Sequence, residues 1–286
     1  MNYSVLISVY KNDKPEFFRE AIRSVLFQTV PPTEIVLVRD GAVSRPLQEE
    51  IDAFLSGYPD IFTYLPLEEN GGLGNALRLG IELCKCDLVG RMDADDISLP
   101  DRFERQLAYF AAHPETDILS GHISEFMGEP ENIVSYRNVP TTHADIVREM
   151  GNRSPFNHPA VMFRREAVLR AGSYESFYLF EDWYLWVKLY LSGATLANLD
   201  GVLLNMRISG MAKRRGGWKY YKSCVRLLRF MKKNGVIGTG RYLKTCAVRF
   251  VGYVLLPNGM REWAYKKFLR KDKGTTPTPE KATEEV

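Results

Sequence analysis

Residues 87–96 read DLVGRMDADD. The apolar run Leu88–Val89–Gly90 is short and bounded by polar residues, which reads as a buried strand. It leads through Arg91 and Met92 into three acids, Asp93, Asp95 and Asp96. Carboxylates this close raise one another's pKa unless a cation sits among them. A strand that carries acids to its C-terminal end suggests a sheet whose strand ends form a binding edge, and the flanking segments supply such a sheet.

Toward the N-terminus, YSVLISVY (3–10) is a β-branched-rich strand, EIVLVRDG (34–41) is a second that stops at Asp40 and Gly41, and IFTYLPL (61–67) is a short third. Helical patterns separate them. In NDKPEFFREAIRSVLFQT (12–29), Phe18, Ile22, Val25 and Leu26 recur at helical spacing, Pro15 suits the first turn and Asp13 is the expected cap. LQEEIDAFLSGY (47–58) and GLGNALRLGIELCK (72–85) follow, the latter after a glycine-rich turn. Four alternations of strand and helix specify an α/β domain with a mostly parallel sheet flanked by helices. Ligands bind at the carboxyl ends of such strands. Ser8 and Tyr10, Asp40, and Asp93 with Asp95 all fall there.

Beyond Pro100 the spacing predicts helices over DRFERQLAYFAAH (101–113), ADIVREMGN (144–152) and FEDWYLWVKLYLSG (180–193). Residues 117–139 read as irregular strands, and PAVMFRREAVLRAG (159–172) as a strand followed by a helix. Nothing is assigned between Gly193 and the basic region that follows. The expected division is a catalytic domain over 1–205, a basic amphipathic helical region over 206–271 and a disordered Pro/Thr-rich tail over 272–286.

Charge is divided the same way. Residues 1–204 hold 18 Lys and Arg against 30 Asp and Glu, a net −12, whereas residues 205–271 hold 18 against one, a net +17. Such a split calls for an anionic partner of the C-terminal part, a nucleic acid or an acidic membrane surface. Four cysteines, two of them as Cys84-x-Cys86, lack zinc-site spacing and read as reduced thiols. Lys11 and Lys14 follow the first apolar run, so no signal peptide is expected. No apolar run reaches the length of a membrane span; the longest candidate, CAVRFVGYVLLP (246–257), contains Arg249.

Paired carboxylates that share a site with phosphate oxygens suit Mg²⁺ or Mn²⁺. Taken alone, Asp95 or Asp96 could equally cap the helix that starts near Pro100. However, SVYKND (8–13), VLVRDG (36–41), NGGLGNALRLG (70–80), RMDADD (91–96) and FEDWYLWVKL (180–189) occur in this order. Together they resemble the family 2 glycosyltransferases of bacterial O-antigen and capsule assembly, inverting enzymes of the GT-A fold that use nucleotide sugars. The resemblance spans roughly residues 1–210 and is strongest over 1–102.

The resemblance implies nucleotide contacts from Ser8, Tyr10, Asp40 (to uracil N3–H), Asn70 and Arg78. Arg91 would balance the acids or meet the diphosphate. Asp93 would face the ribose and share the metal, and Asp95 would ligate Mn²⁺ or Mg²⁺. The general base is assigned to Asp182, with Glu181 the alternative, and a helix N-terminus is expected to lower the pKa of either. His158 and Trp183 are the acceptor-side candidates, although Trp183 also fits a packing role. Arg214 and Arg215, in a Gly-flanked loop, would close over the diphosphate or meet a membrane.

In the basic region, Lys219, Lys222, Arg226, Arg229 and Lys233 form one helical stripe beside an apolar one of Tyr221, Val225, Leu228 and Met231. Residues 241–256 repeat the theme. Basic amphipathic helices lie in membrane interfaces. The expectation is therefore a cytoplasmic enzyme, peripheral on the inner face of the membrane. It would move a hexose, galactose foremost, from a UDP-sugar to a lipid-linked saccharide. A nucleotidyltransferase would need a Gly-rich, basic loop after the first strand, which SVYKNDKPE (8–16) lacks. A nucleic-acid-binding role is disfavoured by the −12 of the N-terminal part.

Overall fold

The computed structural model describes residues 1–208, 216–256 and 259. Strand β1 (Tyr3–Tyr10) lies inside the sheet, with β2 (Glu34–Asp40) and then β3 (Phe62–Pro66) on one side and β4 (Leu88–Asp93) on the other, all parallel. Helices α1 (Pro15–Leu26), α2 (Arg45–Gly57) and α3 (Leu73–Leu83) make the crossovers. The chain thus winds outward from β1 through β2 and β3, then returns to start again at β4. That reversal opens a crevice at the carboxyl ends of β1 and β4, the topological switch point where α/β sheets bind ligands.

Past β4 the sheet becomes mixed. The continuing order is β8 (Met162–Arg164), β6 (Ile118–Phe126), β9 (Leu196–Arg207) and β5 (Ile97–Ser98), with β7 (Ile133–Arg137) paired to β6. β8 is antiparallel to β4 and β6, and β9 is parallel to β6. The sequence reading assigned no strand to residues 196–207. The pair Asp200–Gly201 has turn composition, but here it is a bulge: Gly121 pairs with Leu199 and His122 with Val202, so two residues of β9 loop out of register. The carboxylate of Asp200 meets His122 Nε2 at 3.0 Å across the bulge.

Among the described residues the further helices are α4 (Arg102–Ala112), α5 (His143–Met150), α6 (Arg165–Arg170), α7 (Glu181–Leu191), α8 (Gly217–Lys233) and α9 (Thr239–Phe250), the last running into a π-turn (Val251–Leu255). They cover both sheet faces, which is why the parallel strands are near-continuous apolar runs. Tyr3, Val5, Ile7 and Val9 of β1 point to one layer with Phe18, Ile22, Ile51 and Phe103. Leu6 points to the other, with Val36, Val38, Leu77, Ile81 and Trp186.

Helix α8 belongs to that second layer. Cys224, Leu227, Leu228 and Met231 are fully buried in it. The apolar stripe expected to face a membrane is therefore core at Leu228 and Met231, while Tyr221 and Val225 are partly covered. The expected division after residue 205 falls inside β9, and α8 packs as part of the catalytic body. The expected tail, residues 272–286, lies outside the described residues. All four cysteines are free thiols.

Two local expectations are corrected. Asp13 does not cap α1; its carboxylate accepts from Tyr10 N at 2.8 Å, tightening the turn at the end of β1. Neither Asp95 nor Asp96 caps α4, whose N-cap residue is Asp101. Asp96 instead accepts from Arg207 N at 2.9 Å.

Candidate active site at the parallel strand ends

Ser8 and Tyr10 close β1 and are each partly exposed, beside Asp40 at the end of β2. Asp40 is buried, and its carboxylate organises the loop that precedes α3. Oδ1 accepts from Gly71 N at 2.7 Å; Oδ2 accepts from Gly72 N at 3.0 Å and from Asn70 Nδ2 at 2.9 Å. The approach is close enough to require glycine next to Asp40. Gly41 has φ +81°, and a Cβ there would lie 2.7 Å from Asn70 N. Arg78, on α3, donates to Asn75 Oδ1 and to Glu82, a half-exposed pair on the same helix.

The acids after β4 are held by two arginines. Arg91 is buried and makes a two-pronged pair with Asp93, whose side chain remains 36% exposed. This guanidinium is committed to balancing charge within the cluster. The second arginine, Arg207, closes β9 and was not singled out in the sequence. Its Nε donates to Asp95 O at 3.1 Å, Nη1 to Gly128 O at 3.0 Å and Nη2 to Glu20 Oε2 at 2.5 Å, while its plane lies over Phe17 and Phe126. Arg207 thereby fastens the acidic turn to α1 and to the β6–β7 hairpin. The missing signal was β9 itself, since a lone Arg in an unassigned stretch has no address.

Two guanidiniums do not neutralise the cluster. The carboxyls of Asp95 and Asp96 are both raised above the ordinary aspartate value, by burial first and then by neighbouring acids. Asp96 Oδ2 is buried without a partner. Charge of this sign in a partly open turn suits a hard cation. Among the described residues no three or more His, Cys, Asp and Glu side chains are arranged to hold a metal. Asp93 and Asp95 are two carboxylates that would suit an ion such as Mg²⁺ or Mn²⁺, which takes few protein oxygens and fills the rest of its shell from phosphate and water.

Across the crevice, α7 starts with Glu181 and Asp182. Its N-cap residue, Phe180, offers no side-chain cap, and Leu179 before it has φ +59°, a strained value for a branched residue. Asp182 Oδ2 accepts from Ser154 Oγ at 3.3 Å. Glu181 is packed close to α3: a Cβ at Gly74 would sit 3.4 Å from the Glu181 Cβ and 2.6 Å from Glu175 O. Its carboxyl is raised to about 7, by burial first and the Asp182 carboxylate second. The helix N-terminus was expected to lower it; partial burial beside a second carboxylate outweighs that effect.

Between the two sets of acids lies a pair that joins them. His158, in a 3₁₀ turn (His158–Ala160), meets the hydroxyl of buried Tyr174 at 3.0 Å and rests edge-on against Trp186. Burial, and then the Arg91 guanidinium, hold the imidazole well below the ordinary histidine range, so it is neutral. The Tyr174 hydroxyl is raised by burial and feels Asp182, Glu181 and Asp93 as well as Arg91. Tyr174 was absent from the sequence-based set. Trp183 is corrected: it is 4% exposed, packs on Phe180 and donates Nε1–H to Met150 O at 3.0 Å, so it is core and has no face free for a sugar. Arg214 and Arg215 lie outside the described residues.

The arrangement is a crevice with a loop-organising acid at the end of β2, an acid pair at the end of β4 and a carboxyl pair opposite. The profile of glycosyl transferase family 2 matches residues 4–172, and the chain belongs to that family. It is a glycosyltransferase. The amylovoran biosynthesis glycosyltransferase AmsE of Erwinia amylovora is 38% identical over 270 residues, covering 93% of this chain and 98% of that one. The UDP-Gal:alpha-D-GlcNAc-diphosphoundecaprenol beta-1,3-galactosyltransferase of Escherichia coli is 37% identical over 270 residues, covering 94% and 97%. Among solved structures, the mannosyltransferase PcManGT of Pyrobaculum calidifontis, in complex with GDP-Man and Mn²⁺, superposes with a TM-score of 0.62 over 91% of this chain and 71% of its own, at 15% identity. That likeness establishes the GT-A-type fold.

Proposed function

We propose that this enzyme transfers a hexose, galactose foremost, from a UDP-sugar to a lipid-linked saccharide, with inversion, in surface polysaccharide synthesis. The observation that carries the reading is the convergence of Asp93 and Asp95 with Glu181 and Asp182 on one switch-point crevice, in a chain whose E. coli relative bears a UDP-Gal galactosyltransferase name.

Asp40 Oδ1 accepts one hydrogen bond within the protein and retains capacity for the N3–H of uracil, while the loop it holds covers the nucleotide. Ser8 and Tyr10 line the base, and Asp93 faces the ribose. Asp93 and Asp95 would hold Mn²⁺ or Mg²⁺, which supplies charge neutralisation to the departing diphosphate. On the other side, Asp182 accepts the proton of the acceptor hydroxyl as its oxygen attacks the anomeric carbon and the bond to the diphosphate oxygen breaks. Glu181, its carboxyl pushed up to about 7, is only part ionised near neutral pH, and the role of proton acceptor is assigned to Asp182, steadied by Ser154. Neutral His158, braced by Tyr174, presents a polar edge to the acceptor side. The work takes place at an anionic membrane surface, where such an acceptor resides.

Asp95→Ala tests the reading. With UDP-galactose and an N-acetylglucosaminyl diphospholipid, wild type should transfer galactose only when Mn²⁺ or Mg²⁺ is added, and the variant should be inactive at every metal concentration. Transfer by the variant at the wild-type rate would remove Asp95 from the mechanism.

A further inference from the structure

Helix α9 with its π-turn is apolar on two sides, and only one is covered. Tyr242, Cys246, Phe250 and Tyr253 turn inward. Cys246 and Tyr242 pack against the main core, Phe250 meets Trp218 and Tyr221, and Tyr253 stacks edge-on with Tyr220. On the far side, Leu243, Ala247, Val251 and Leu255 recur at steps of four, with Val248 alongside. These are bare: Leu243, Val248 and Leu255 are each 60% exposed and Val251 47%. Trp218, at the start of α8, adds a further exposed ring. A helix apolar all round normally has a partner on each side.

Charge says what that partner is. Residues 217–255 contain nine Lys and Arg and no Asp or Glu. Lys219 and Lys222 on α8 and Lys244 on α9 are exposed, and Lys244 lies within the apolar row, where a lysine's stem can stay in hydrocarbon and its head in water. An apolar stripe edged by cations and free of acids complements the interface of an anionic bilayer.

We propose that the outer face of α9 and its π-turn, Leu243, Ala247, Val248, Val251 and Leu255, is the surface by which the protein seats itself in an anionic membrane. This moves the membrane contact from the α8 stripe, whose apolar neighbours are core, to the helix beyond it. The proposal rests on the reading of a membrane-held acceptor, and it adds an orientation. The inner face of α9 touches the base side of the crevice. Arg249 donates to Asn152 O and Arg241 Nη2 to Arg148 O, two residues and six residues ahead of Ser154, which bonds Asp182. Tyr253 stacks on Tyr220, and Tyr220 on Phe180, the residue before Glu181, at 4.7 and 4.8 Å. A bilayer under the outer face therefore lies on the side from which Asp182 receives its acceptor.

The test is co-sedimentation of the full chain with vesicles containing phosphatidylglycerol, beside vesicles of phosphatidylcholine alone. Wild type should bind the anionic vesicles. The triple variant Leu243→Ser, Val251→Ser, Leu255→Ser should bind at least about tenfold more weakly while keeping its thermal unfolding midpoint and its Mn²⁺-dependent UDP-galactose turnover. All three side chains are about half or more exposed, so the fold should depend on them little. Lys222→Ser with Lys244→Ser should weaken anionic binding and lessen its dependence on salt. Absence of wild-type binding, or equal binding by the triple variant, overturns the proposal. Equal binding to phosphatidylcholine overturns its anionic part. A wild-type dimer that the triple variant converts to monomer, without vesicle binding, would assign the face to a second copy of the chain. Retention on duplex DNA in place of vesicles would assign it to nucleic acid. Either result overturns the membrane. Loss of sugar transfer with vesicle binding intact would instead strike the enzymatic reading alone.

Discussion

Glu181→Gln should stabilise this protein, by an amount that grows from about pH 4.5 and is complete above about pH 7. Glu181 titrates at about 7 in the folded chain against an ordinary 4.5. Each pKa unit corresponds to about 1.4 kcal/mol, so an ionised Glu181 costs the native state about 3 kcal/mol relative to the unfolded chain. The sign follows from proton counting. Below 4.5 the carboxyl is protonated in both states and costs nothing. Between 4.5 and 7 the native state keeps a proton that the unfolded state has released, so stability falls as pH rises. Above 7 the full cost is present. Gln is neutral throughout and removes it. Urea unfolding of wild type and variant should therefore differ by less than about 1 kcal/mol at pH 5 and by about 3 kcal/mol at pH 8.5, with the variant the more stable. The second cause of the shift is Asp182, so the gain at pH 8.5 should shrink when Glu181→Gln is made on an Asp182→Asn background. Parallel stability curves at the two pH values, or a variant less stable at pH 8.5, would refute the burial argument and with it the separation of roles between the two acids.

Asp182→Asn should leave UDP binding intact, as measured by calorimetry, and cut the transfer rate about a hundredfold or more; an undiminished rate would move the base to another group. Arg207→Met removes two hydrogen bonds from a charged donor to backbone carbonyls, worth about 1.5–3 kcal/mol each, and a half-exposed pair with Glu20 that adds at most about 1 kcal/mol. It should lower the unfolding free energy by about 3–7 kcal/mol and raise the Mn²⁺ concentration for half-maximal turnover. A stable variant with unchanged metal dependence would show that Arg207 does not position the acidic turn.

The parallel half of the fold was legible because its signals are local. Val5–Ile7, Ile35–Val38 and Leu88–Val89 are buried on both faces and so read as uninterrupted apolar runs, and Asp40, Asp93 and Asp95 stand at or just past the ends of β2 and β4. The second half was harder. β9 hides behind Asp200–Gly201, whose turn composition serves a bulge that only pairing with β6 explains. Trp183 carried the composition of a sugar platform and proved to be core, because a helix at the sheet surface buries most of its circumference once α8 lies on it.

By itself, then, the sequence determined the strand–helix order, the acids at the strand ends, the carboxyl pair at a helix start and the basic excess of residues 205–271. These depend on residue type and on neighbours a few positions away. Only the tertiary structure decided that Arg91 answers Asp93, that Arg207 secures the acidic turn from more than 100 residues away, that Glu181 is the carboxyl pushed toward neutrality, and that α9 leaves one apolar face bare. Each of those depends on which groups are taken out of water together, and burial is a property of the packed chain that no short stretch of residues contains.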